Sequence, residues 1–596
     1  MAADTPLSTA ETRPSEGLSS ANPPGKHALR LALGPIGIAV VIVSSVIFLY
    51  PVIAGPITGD DRYWYLWMGS STDWSLLREV QTTWNDLTVR QDYGRLNVLT
   101  GFERRVAAKA VVETALATAT PIVVYVALLK AMLLAGGVLS VLAMVRSLRW
   151  RDAEGRLVRV GRRNLLLIGL AGTLAVAVIA QAHSPNASGW NGWTAYPIST
   201  YGAVVSILGS VALVLWLTRL VAERTWRMAL VAVPVLALLG AATNFRYELV
   251  FPAIPIVAVA LVIVPVTDGA HRSAGRKAKL VTGLAYFGSF VPVFAGIRLY
   301  LADVCARTQC YNGIQVDLGL PAVRTTVFNV LSGVPGFGGN ELLRTMEVIG
   351  MANRFPVLPN TWSVLAGVMA TAGLLVVWWA TSRREGALAS AVPVAATSGS
   401  EPPTDGQQAT SGGRDAGASA RRAEAIALGI GAGLSLLAAL GTAAVMGLSP
   451  LSHDIIGEPG TLYRNAMVTS TGLAFTVVIS AVALGVLLSR SWWRALAVWA
   501  ALAVGIGIVG ACTLPANMMA LRANRIIYTV SEAINWEVVQ SETGPGSEAR
   551  RCDLFERAVG TMGSGSLYRL YLHANNAFER RSGEPFCSDP KYRRST

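Results

Sequence analysis

The stretch "IGIAVVIVSSVIFLYPVIAGPITGDDRYWYLW", residues 36–67, decides how the chain is read. Its first part is apolar over residues 36–54, long enough to cross the hydrocarbon core of a bilayer as a helix. No convincing small-residue cleavage site follows, so the segment reads as an anchor and not as a removed signal peptide. Directly after it stand two adjacent carboxylates, Asp60 and Asp61, with Arg62 and then Tyr63, Trp64, Tyr65 and Trp67. Charge at the edge of a bilayer is costly unless it faces water, a partner or a substrate. The aromatic residues suit the interfacial belt where membrane meets water.

The composition carries the membrane reading to the whole chain. Of 596 residues, 52% are hydrophobic and only 14% charged, where a soluble chain would carry about a quarter charged. Apolar runs predict eleven spans, at 36–54, 119–145, 164–182, 199–218, 228–244, 251–267, 280–299, 362–380, 425–447, 473–489 and 495–514. Lys and Arg collect in cytoplasmic loops. The loop "RSLRWRDAEGRLVRVGRR" holds seven arginines between Arg146 and Arg163, which places it inside. The stretch from residue 108 is therefore one span preceded by an interfacial helix, although Lys109, Glu113 and Lys130 interrupt it. Arg219, Arg224 and Arg227, His271 to Lys279, Arg383 with Arg384, and Arg490 with Arg494 also fall inside. The N-terminus is then cytoplasmic and the C-terminus outside. The net charge of +14 follows from these loops. It is not a nucleic-acid footprint, because no basic patch has interleaved aromatics.

The expected fold class is an all-α polytopic membrane protein. A disordered cytoplasmic tail covers 1–34, and a transmembrane core with outer loops 55–107 and 300–361 covers 35–381. A Ser-, Ala- and Gly-rich cytoplasmic linker follows at 382–424, then three further spans over 425–514 and a small helical outer domain at 515–596. Four cysteines, Cys305, Cys310, Cys552 and Cys587, fall in outer segments, where thiols can oxidise. Their pairing is open from sequence, and Cys512 stands alone at the end of the last span.

Three outer segments carry polar groups that are hard to explain as solvated surface. The first holds Asp60, Asp61 and Arg62. It continues into "WSLLREVQTTWNDLTVR", whose apolar positions Trp74, Leu77, Val80, Trp84 and Leu87 have helical spacing and suit a helix lying on the membrane. Gly94 and Arg95 then lead back toward the second span. The second is "NFRYELVFP", residues 244–252, a connection so short that Arg246 and Glu248 stay close to the bilayer. They can pair with each other, or Arg246 can bind an anionic head group. The third is "HDIIGEPGTLYRNAM", residues 453–467, with Tyr463 and Arg464. No phosphate loop, nucleophile elbow or HExxH is present.

A first span, an acidic pair opening the first outer loop, a surface helix, many further spans and an outer C-terminal domain together resemble the GT-C superfamily of membrane glycosyltransferases. The Asp60–Asp61 pair carries the hallmark, and Gly94–Arg95 is similar to a glycine–arginine seen late in that loop in some bacterial members. The resemblance implies a polyprenyl-phosphate sugar as donor, a glycan or glycolipid acceptor outside, and inversion at the anomeric carbon. It implies Asp60 as general base, with Asp61 orienting it, binding acceptor or holding a divalent cation such as Mg or Mn. Arg62, Arg95, Arg246, Glu248, Tyr463 and Arg464 are the substrate-binding candidates, with the arginines on the donor phosphate. The Ala-, Gly-, Val- and Arg-rich composition suits a high-GC bacterium, so the expected place is a bacterial inner membrane and the expected role is cell-envelope biosynthesis. The alternative is a transporter or flippase of a lipid-linked glycan. It would favour internal repeats and mid-membrane charges, whereas the polar clusters here sit at the outer edge.

Overall fold

The computed structural model describes residues 24–58, 61–69, 75–89, 97–182, 191–224, 226–307, 316–334, 359–382, 411–456, 461, 464–540, 542–559 and 564–588. In chain order the helices are α1 Pro24–Ile53, α2 Asp61–Gly69, α3 Leu76–Val89, α4 Val98–Thr118 and α5 Ile122–Ser147. A two-stranded antiparallel hairpin follows, β1 Arg149–Arg151 and β2 Leu157–Arg159. Then come α6 Arg162–Ile179, α7 Pro197–Arg224, α8 Trp226–Thr243, α9 Ala253–Ile263, α10 Arg272–Arg307, α11 Leu320–Ser332 and α12 Thr361–Ser382. The chain ends with α13 Ser411–Gly447, α14 Pro450–Ile455, α15 Ala466–Leu487, α16 Trp492–Gln540, α17 Pro545–Val559 and α18 Ser564–Ser582.

Among the described residues, nine helices are long and apolar enough to cross a membrane. The protein is thus an all-α, multi-pass membrane protein. The stretches expected to span at 228–244 and 251–267 fall on α8 and α9, which are shorter apolar helices. At 1.5 Å per residue, the 11 residues of α9 reach about halfway across a hydrocarbon core. Many side chains pointing off the bundle are apolar, among them Leu139, Leu238, Val262, Leu284 and Val368, as a lipid-facing surface requires. Inside, helices approach closely through small residues, the usual way apolar helices pack in lipid. A Cβ on Gly367 of α12 would strike the Gly507 carbonyl of α16, and Thr371 of α12 donates to the Ala503 carbonyl at 3.1 Å.

Three boundaries differ from the sequence reading, each for a local reason. α1 begins at Pro24, inside the expected tail. α13 begins at Ser411, inside the expected linker. Its early part docks on the arginine hairpin, where Ser419 accepts from the Ala153 amide at 2.6 Å, and on the start of α6, where Glu424 accepts from the Gly161 amide at 2.7 Å and from Asn164 Nδ2 at 2.8 Å. The last span does not stop at residue 514. α16 runs on through Pro515 for 49 residues, about 74 Å, and so projects well past one face of any bilayer.

That projection is the base of the C-terminal unit. Ile534 and Val538 of α16 pack with Leu554 and Phe555 of α17, Leu570, Tyr571 and Phe578 of α18, and Phe586. Leu66 of α2 joins the same core, which ties the unit to that helix. Cys552 and Cys587 form a disulfide across 35 residues. Arg551, fully buried, donates to the Phe586 carbonyl at 2.8 Å beneath it. Cys305 lies near the end of α10, and Cys310 lies outside the described residues. Closing a loop of this length lowers the entropy of the unfolded chain by about 3–4 kcal/mol in the chain-entropy treatment. Cys552→Ser with Cys587→Ser should therefore unfold the C-terminal unit several degrees lower while the membrane helices keep their helical signal. Limited proteolysis against temperature checks this, cleavage appearing first within residues 541–588.

Candidate functional site

The site grows from the start of α2. Asp61 opens that helix and is only 5% exposed. A carboxylate so buried is tolerated only with strong donors on both oxygens. One oxygen accepts from Arg104 Nη2 of α4 at 3.0 Å, and the other accepts from the Tyr196 amide at 2.8 Å. Tyr196 has φ +55°, a left-handed conformation that a bulky residue adopts only under constraint. It stands directly before Pro197, which starts α7. The bend aims its amide at Asp61 and its ring at two guanidinium groups. Arg104 lies 5.5 Å from the Tyr196 ring and 4.6 Å from the Trp64 ring, while Arg464 lies 4.8 Å from the Tyr196 ring. Such cation–π contacts gain strength where water is excluded. Burial, and after it the charge of Asp61, push the neighbouring Tyr65 phenol well above its usual range, so it stays neutral.

The second and third polar segments meet the first here. Arg464 donates to the Tyr247 hydroxyl at 2.7 Å. The Tyr247 amide donates to Thr100 Oγ1 at 2.9 Å, and the Leu99 amide donates to the Phe245 carbonyl at 2.9 Å. Arg246 pairs with Glu103 at 2.5 Å and bonds Ser206. Thr100, Glu103 and Arg104 are spaced three and four apart on α4, hence on one face. That face receives residues 245–247 and Asp61 together. Gly192 closes the arrangement, since a Cβ there would collide with the Arg464 carbonyl. Asp61, Trp64, Tyr65, Arg104, Ala107, Tyr196 and Pro197 border a cleft of about 10 Å³, room for about one water. Deeper in α5, Lys130 is 1% exposed and its amine has no hydrogen-bond partner among the described residues. It lies within electrostatic reach of Asp61 and Glu532.

Of the residues singled out from sequence, Asp61, Arg246 and Arg464 thus belong to one connected cluster. Glu248 sits beside it, on the short turn Glu248–Val250. Arg246 is paired with Glu103, so an anion reaching it competes with that carboxylate. Arg62 lies in the first turn of α2. Asp60, Arg95 and Tyr463 lie outside the described residues. The sequence reading passed over Arg104, Glu103 and Tyr196. The block Glu103–Arg104–Arg105 marks charge beside an apolar run without singling out any one member, and nothing local marks Tyr196. Lys109 was noted from sequence, and it pairs with Glu113 at 2.5 Å along α4.

The fit of a divalent cation can be judged at Asp61. Both its oxygens are engaged, one by a guanidinium, so a cation there would have to displace Arg104. Among the described residues no group of three His, Cys, Asp or Glu is placed to hold a metal ion. The cluster around Asp61 does not fit a cation in this arrangement. Compared with known proteins, the chain matches no protein family, no curated protein and no solved structure.

One support below the site is testable. Arg105, 1% exposed, pairs with Glu79 of α3 and donates to Thr83 Oγ1, both at 2.6 Å. This buried contact holds α3 against α4 while Leu77 and Trp84, 79% and 68% exposed, face outward. Removing one partner of a buried ion pair costs about 3–5 kcal/mol. Arg105→Ala should release α3 and expose it to protease in detergent, and Arg105→Ala with Glu79→Ala should recover part of the loss. Equal protection of Arg105→Ala and wild type would contradict it.

Proposed function

We propose that the protein is an inverting membrane glycosyltransferase of the GT-C type. It takes its sugar from a polyprenyl-phosphate donor and passes it to a glycan or glycolipid acceptor on the extracytoplasmic face of a bacterial inner membrane. In this reading the N-terminus lies inside and the C-terminus outside, and the short α8 and α9 enter and leave the membrane as a pair. The observation that carries the reading is the meeting of three polar segments, distant in sequence, at one end of an apolar helix bundle. Arginine-rich elements lie at the other end, which the charge rule makes cytoplasmic.

The chemistry follows from the residue types. A sugar hydroxyl is a weak nucleophile at neutral pH. Asp60, next to the clamped Asp61, takes its proton as it attacks the anomeric carbon. The bond from that carbon to the donor phosphate oxygen breaks, and the lipid phosphate leaves with the bonding pair. Arg104 and Arg464 lie close enough to this end to stabilise the charge growing on that phosphate, with Arg246 behind them. Trp64, half-buried on the border of the cleft, offers a ring face for the sugar. Asp61, bound on both sides, positions the loop and does not act as the base. No step here needs a metal ion.

The test is turnover by purified full-length protein in lipid with a panel of polyprenyl-phosphate sugars. Asp60→Asn should lower turnover by about 10²–10⁴-fold, the range for losing a general base, with donor binding retained. Asp61→Asn should weaken donor binding as well. If no donor is bound or turned over and Asp60→Asn still complements a deletion strain, the transferase reading fails and transport of a lipid-linked glycan takes its place.

A further inference from the structure

At the opposite end of the same helices lies a second, larger cavity. It is about 1070 Å³, between the end of α5, the β-hairpin, the start of α6 and the end of α7. Five arginines line it: Arg146, Arg149, Arg159, Arg162 and Arg219. Tyr196 precedes the first residue of α7 and Arg219 falls in its last turns, so the two sites are roughly 35 Å apart along one helix. The cavity is therefore a separate site from the Asp61 cluster.

Basic loops on a membrane protein are ordinarily solvated, and Arg146, Arg159 and Arg162 are exposed as that expects. Arg219 is different. It is 5% exposed, and its Nε and Nη2 are buried without a hydrogen-bond partner among the described residues. Arg149 Nε is in the same state, and its nearest carboxylate, Glu223, stands 3.9 Å from Nη1. Burial, then the neighbouring Arg159, pull the Arg149 guanidinium below its ordinary range. A guanidinium keeps its charge in a protein, and buried donors are as a rule satisfied. A planar fork with free N–H groups matches the oxygens of a phosphate.

The remaining wall is apolar. Leu139 and Trp216, 64% and 53% exposed, lie on the outer surface of two membrane helices where they meet the arginines, with Leu165 and Leu213 beside them. The volume is far larger than one phosphate needs and sits at the upper end for small-molecule sites. A head group among arginines with acyl chains along Leu139 and Trp216 fills both halves. We propose that this cavity binds the phosphate of an anionic lipid head group, presented from the leaflet on the arginine-rich face.

The experiment titrates purified full-length protein in micelles with dioctanoyl phosphatidylglycerol, dioctanoyl phosphatidylcholine and inorganic phosphate, reading the unfolding midpoint. Phosphatidylglycerol should stabilise saturably, phosphatidylcholine should not, and inorganic phosphate should need at least tenfold more ligand. Arg219→Gln should weaken phosphatidylglycerol at least tenfold. Arg159→Gln, an exposed change that leaves packing intact, should weaken it several-fold. Inorganic phosphate acting as tightly as phosphatidylglycerol would keep the arginine site and overturn its lipid source. No saturable response to either anion, or an unchanged response in Arg159→Gln and Arg219→Gln, would overturn the proposal.

Discussion

Everything at the polar end of this protein hangs on one buried carboxylate. Asp61 is shared between Arg104, 43 residues later, and the Tyr196 amide, 135 residues later. Neither donor can leave without stranding a charge in a poorly hydrated place. That constraint ties the start of α2 to α4 and fixes the bend before α7. Arg464 uses that ring, and Tyr247 uses Arg464. Loops that would otherwise be independent become one surface. The C-terminal unit adds a lid-like neighbour, because Leu66 of α2 belongs to its core.

Charge is divided along the bundle. At the Asp61 end each arginine in the cluster meets an acid or a ring: Arg104 and Asp61, Arg246 and Glu103, Arg464 with Tyr196 and Tyr247. At the far end the five arginines that line the cavity crowd one another, and among the described residues Glu223, 3.9 Å from Arg149, is the carboxylate paired with them. The first arrangement is neutralised and closed, with room for about one water. A substrate entering there must exchange contacts with the protein. The second is open and short of acceptors. This difference follows from where water, lipid and protein meet each helix end.

Much of the fold was legible because apolar runs and basic loops are strong, local signals. The helices at 36–54, 119–145 and 362–380 fall where those runs stand. The amphipathic reading of Leu77, Val80 and Trp84 likewise matches a helix whose apolar face points outward. Helix ends were less legible. The last apolar run stops at residue 514, yet the single Pro515 after it removes one backbone bond and α16 continues because Ile534 and Val538 have a core to enter. The polar segments were recognisable one at a time, since charge near a bilayer stands out. Their connection was not, because it depends on a backbone amide at Tyr196 and on ring faces. No residue type announces those. Arg104 was hidden by its neighbours, a charged block that reads equally well as the polar end of a surface helix.

Asp61 and Arg104 act as one constrained unit. A double-mutant cycle of Asp61→Asn and Arg104→Gln, read by unfolding midpoint in detergent, tests it most directly. The account predicts strong non-additivity: each single change costs several degrees, and the double variant is no worse than the weaker single one, because no charge is left stranded. Additive losses would show that the two side chains contribute separately, and the account of the site would fail.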